Sequence, residues 1–187
     1  MELTEAHRRT IEWTEPRVSR VRPENWSMPT PCTEWDVRAL LHHMVSGNLW
    51  VAPLVRGETI AEVGGRFDGD ILGRDPSAAW RSAAEAACSA FEQEDALDRI
   101  VNLSSGDVPA RVYLQERFVD VFCHAWDLSR AIGADDRIPE DLVGSCERAL
   151  EPFEGPWRAS GALGPVLETP AGADAQTRLL ARLGRRA

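Results

Sequence analysis

The sequence predicts an all-α domain: a four-helix bundle with irregular connectors and a short C-terminal helix. Three observations lead there. Four long segments, about residues 3–21, 34–55, 77–93 and 111–132, carry helix-forming residues at helical spacing. The stretches between them gather Gly, Pro, Asp and Ser, which stop helices and build turns. The β-branched residues of 96–111 make a connector with at most a short extended piece. A chain of 187 residues with no internal repeat and no interdomain linker reads as one domain, 1–187, with helix packed on helix.

Each element has its own signal. In the first helix Pro16 marks a kink or break. NWSMPTPCTEWD then forms a turn, with Thr33 as N-cap and Asp36 completing a capping box. The second helix, from about Glu34 to Val55, turns Val37, Leu41, Met44, Val45, Asn48 and Ala52 to one face and stops at Gly57. Residues 57–75 read as loop. The Ala-rich segment 77–93 starts at Asp75 or Ser77, and its small residues let helices approach closely. The helix over 111–132 closes at Gly133. Pro139 opens another over 139–150, residues 152–172 read as irregular, and 173–184 as a short last helix.

Composition excludes several functions. The net charge of −9 repels phosphate backbones and anionic lipid, so a nucleic-acid partner is not expected. No apolar run approaches the roughly 20 residues of a membrane helix, and MELTEAHRRTIEW lacks the order of a signal peptide; a cytoplasmic location is expected. Cys32, Cys88, Cys123 and Cys146 form no CxxC pair and read as isolated reduced thiols. No dinucleotide fingerprint or phosphate loop occurs; Gly64-Gly65 lacks the strand such a loop needs.

One stripe stands out. In RFVDVFCHAWDLSRA, residues 117–131, the 100° step per residue puts Tyr113, Glu116, Asp120, His124, Asp127 and Ala131 on one side of the helix. Such a stripe is either a solvated face or a ligand set, because a carboxylate and an imidazole four apart lie over each other. A third ligand would come from LLHHMVSGN. His42 and His43 point about 100° apart. The period mildly favours His43, which shares its side with Gly47, a small residue that leaves room for a ligand or a close helix. Asp127 either orients His124 or pairs with Arg130 or Arg38; Trp35 and Trp126 read as packing residues, and Arg38 as part of a solvated face.

WSMPTPCTEWDVRALLHHMVSGN, DVFCHAWDLSRAIG and GPVLETPAGADAQTRLLARLGR together resemble the DinB-like metal-binding bundles, and more narrowly the actinobacterial branch that includes the N-terminal domain of mycothiol-dependent maleylpyruvate isomerase. The resemblance implies an antiparallel bundle holding one divalent ion, commonly zinc, on His43, Asp120 and His124. It implies mycothiol as co-substrate, and it places Asp127 in the recurring Trp-Asp segment. The isomerase carries Glu at the position of Asp120. It also has a second domain that shapes its site, for which this chain leaves too little length, so maleylpyruvate is not the expected substrate. The expected function is a metal- and thiol-dependent S-transferase or isomerase acting on a small electrophile. The alternative is a non-catalytic metal-binding bundle with a binding or stress-response role. Members of the family often pair, so a homodimer is possible.

Overall fold

The computed structural model describes residues 1–187. Four long helices form the bundle: α1 (Leu3–Val18), α2 (Val37–Val55), α4 (Pro76–Phe91) and α5 (Ala110–Ala131). Around it α1 packs on α4, α4 on α2, α2 on α5 and α5 on α1. The short helices are α3 (Ile60–Val63), α6 (Glu140–Leu150), α7 (Glu154–Ser160) and α8 (Ala175–Arg182). α6 lies against α5 and α1, and α8 against α6. The expected all-α four-helix bundle is present, with one two-stranded hairpin added.

The local departures have physical causes. Asp36, not Thr33, caps α2: its carboxylate accepts from the Ala39 amide at 2.8 Å, so the helix starts at Val37. Residues 30–35 are held in a separate turn, where the Thr30 hydroxyl donates to the Cys32 and Trp35 carbonyls. Pro16 falls in the last turn of α1, and the helix runs only to Val18. Residues 57–75 are not all loop; the Thr59–Glu62 capping box nucleates the single turn of α3. The connector after α4 pairs β1 (Ile100–Leu103) with β2 (Gly106–Pro109), antiparallel, across Ser104-Ser105. Residues 152–172, expected to be irregular, include α7, which Gly161 ends at a φ of 83°.

Apolar clusters run the length of the bundle. One joins α2, α4 and α5 around Leu40, Leu41, Met44, Trp80, Val121 and Leu128. A second joins α5 to α6 and α8 through Phe118, Phe122, Trp126, Leu142 and Leu180. α5 is therefore covered on both sides, and its acid–imidazole stripe is not a solvated face: His124 is 8% exposed and Asp127 fully buried.

Candidate metal centre

The burial of α5 sets the electrostatics of the stripe. A buried charge is tolerated only when it is paired or hydrogen-bonded, and Asp120 and Asp127 both are. Asp120 Oδ1 lies 3.1 Å from His43 Nε2 and 3.6 Å from His124 Nε2. Its other oxygen accepts from Arg117 at 3.1 Å. Burial would push the Asp120 carboxyl up, but the Arg117 guanidinium and the two imidazoles outweigh it and hold it well below the usual carboxylate range. Burial would likewise lower His124; Asp120 on one side and Asp127 on the other raise it to about 10.

α2 decides between the adjacent histidines. His43 faces α5, whereas His42 turns outward to the Gly69 carbonyl at 2.9 Å. Gly47, one turn on, is a close-approach position: a Cβ there would fall inside the Arg117 guanidinium, so the room it leaves is filled by that side chain. Arg117 also reaches Asn48 Oδ1 at 3.4 Å.

Asp127 approaches His124 Nδ1 at 3.0 Å. An ionised carboxylate only accepts, so Nδ1 carries a proton toward Asp127; without metal Nε2 carries one toward Asp120 as well, and a bound ion would displace it. The ion-pair partner of Asp127 is neither Arg130 nor Arg38, which bind Asp136 and Asp70. It is Arg185, past the end of α8, donating to both Asp127 oxygens at 2.9 and 2.8 Å. The same guanidinium donates to Cys32 Sγ at 2.9 Å. Arg185 and Cys32 lie in segments that carry the family resemblance, but no local spacing points to their roles, since they stand 58 and 95 residues from Asp127. Trp35 is also more than packing: its ring covers His43 at 4.6 Å and His124 at 5.5 Å. Trp126 is core, as expected.

The donor set suits a borderline divalent ion. One atom each from His43, Asp120 and His124 lie within 4.8 Å of one another. The N···O separations of 3.1 and 3.6 Å bracket the edge of about 3.3 Å in a tetrahedron with Zn–N and Zn–O bonds near 2.0–2.1 Å. Two imidazoles and one carboxylate would leave a position open, as in catalytic rather than structural zinc sites. The cluster forms part of the wall of a cavity of about 700 Å³, whose other walls include Trp50, Ile60, Leu103 and Trp157.

The model of the mycothiol maleylpyruvate isomerase N-terminal domain matches residues 7–129. Two uncharacterized proteins of Mycobacterium tuberculosis, from strains CDC 1551 / Oshkosh and ATCC 25618 / H37Rv, are each 30% identical over 155 residues, covering 81% of this chain and 79% of theirs. Among solved structures, a histidine-to-alanine mutant of the mycothiol-dependent maleylpyruvate isomerase superposes with a TM-score of 0.61 at 22% identity, over 92% of this chain and 79% of that one. A match of that extent cannot fit inside residues 7–129, so part of the chain after α5 also has a counterpart there. The chain belongs to the mycothiol maleylpyruvate isomerase N-terminal domain family.

Proposed function

We propose that this protein is a divalent-metal- and mycothiol-dependent S-transferase or isomerase, with His43, Asp120 and His124 as metal ligands and Asp127 as the residue that positions His124. The observation that carries this reading is the convergence of two imidazoles and a carboxylate, from two helices, on the wall of a large cavity. A closed structural site would not need that space.

Bound zinc would act there as a Lewis acid, lowering the pKa of a thiol and polarising a carbonyl. The chain's own residues supply the rest. Asp127 keeps the Nδ1 proton of His124 in place and Nε2 turned to Asp120. Arg117 occupies one oxygen of Asp120 and leaves the other toward the imidazoles. Trp35 shields both rings from solvent on one side. A thiolate that adds to a conjugated double bond and remains gives a conjugate. One that adds, permits rotation about the resulting single bond and then leaves gives the isomer.

The test is the metal content of protein purified without added metal, followed by thiol consumption with mycothiol and a panel of electrophiles. We expect about one divalent ion per chain, lost in His43→Ala and His124→Ala and kept in His42→Ala. Full metal content in both of the first two variants would refute the site. Metal binding without metal-dependent thiol transfer would favour the non-catalytic alternative.

A further inference from the structure

The cavity beside the cluster takes its walls from several elements. Trp50 and Leu54 come from α2, Ile60 from α3 and Leu103 from the hairpin; Trp157 comes from α7 and Leu163 from the segment after it. Thirteen of its 22 lining residues are hydrophobic, so an occupant there loses its hydration over most of its surface. What decides its chemistry is the charge that remains free.

Two arginines line the cavity, Arg117 and Arg185, and both are already neutralised. Arg117 is held by Asp120 at 3.1 Å, and Arg185 by both oxygens of Asp127 at 2.9 and 2.8 Å. Turning Arg185 away would strip the fully buried Asp127 of its guanidinium, which is strongly unfavourable, and turning Arg117 away would break its pair with the quarter-exposed Asp120. The lining carboxylate outside these pairs, Glu116, makes no hydrogen bond or ion pair with a side chain. It sits one turn before Asp120, half-buried. An anionic guest would therefore meet apolar walls, committed cations and an unneutralised acid.

Resting on the thiol-transfer reading, we propose that the electrophile this cavity accepts is an uncharged aromatic or alkyl compound, and that Glu116 excludes anionic electrophiles, dicarboxylates included. On that reading the open coordination position belongs to the thiol, so no second cation is left for a substrate carboxylate.

Two arms test this. The binding arm needs no turnover: metal-loaded protein is titrated with N-phenyl-1-naphthylamine and with 8-anilinonaphthalene-1-sulfonate, the same rings without and with an anion. The neutral dye should bind at least about tenfold more tightly, the advantage expected where an anion finds no partner. Trp157→Ala should weaken the neutral dye. Glu116→Gln, checked for an unchanged circular dichroism spectrum, should tighten the sulfonate severalfold and leave the neutral dye unchanged. Equal binding of the two dyes, or an unchanged ratio in Glu116→Gln, would overturn the proposal.

The turnover arm uses mycothiol with 4-chloro-3,5-dinitrobenzoate and with its methyl ester. The thiol sulfur displaces chloride at the ring carbon: a C–S bond forms, the C–Cl bond breaks, and chloride and the thiol proton leave to solvent. The ester should be favoured in kcat/KM by about tenfold, and a preference for the free carboxylate would also overturn the proposal. If neither compound is turned over while the dyes still discriminate, the thiol-transfer reading fails and the selectivity of the cavity stands.

Discussion

Replacing Arg185 by alanine would expose how far the C-terminal residues underwrite the candidate centre. The substitution removes the donors at 2.9 and 2.8 Å from Asp127 and the one at 2.9 Å from Cys32. Asp127 is fully buried and the Arg185 side chain only 15% exposed, so the native pair is largely out of solvent. Breaking a buried pair by deleting one member costs about 3–5 kcal/mol. His124 still donates to Asp127, which places the expectation near the lower end, about 3 kcal/mol. For a chain of this size each kcal/mol moves Tm by about 2–4 °C, so a fall of about 6–12 °C follows. The assay is thermal and urea unfolding of chelator-treated protein by circular dichroism. Arg38→Ala is the control, because its pair with Asp70 is about half exposed and worth at most about 1 kcal/mol. If Arg185→Ala loses no more than Arg38→Ala, the buried anchor inferred for Asp127 is wrong.

Asp127→Asn should lower metal affinity about 10–100-fold with the three ligands intact, read by competition with a chromogenic chelator. Gly47→Ala should displace Arg117 and so loosen Asp120; metal affinity should fall while helix content by circular dichroism is unchanged. His124 has a pKa near 10 without metal, so binding must expel a proton; apparent affinity should rise about tenfold per pH unit between pH 7 and 9, and a flat profile would contradict this. The same raised pKa means that its contribution to metal-free stability is complete below about pH 6.5 and is lost as pH rises through about 10. His7 has the opposite sign: burial, then Arg117 and Arg8, lower it to about 3. It stays neutral when folded while the unfolded chain takes up a proton, so stability should drop as pH falls from about 6.5, by up to about 1.4 kcal/mol per unit; His7→Phe should flatten that slope in urea titrations.

Local chemistry was legible in the sequence because it depends on residues a few positions apart. Helical periodicity marked the four long helices, and the 100° step put Asp120, His124 and Asp127 on one side of α5. Family resemblance then tied that side to His43. The same periodicity could not say whether the stripe faced water, because the segments that enclose it, α7 and the chain beyond α8, lie far off in sequence and carry no periodic signal of their own. Nor could it say which way α2 is rotated in the bundle, which is what turns His43 inward and His42 toward Gly69. The roles of Cys32 and Arg185 and the cover Trp35 gives the imidazoles were hidden for the same reason: a contact between distant residues is set by how helices pack, not by local spacing. The sequence by itself therefore determined which residue types share a helix face. Only tertiary packing decided that this face is buried, which arginine neutralises Asp127, and that both cations of the cavity are already engaged.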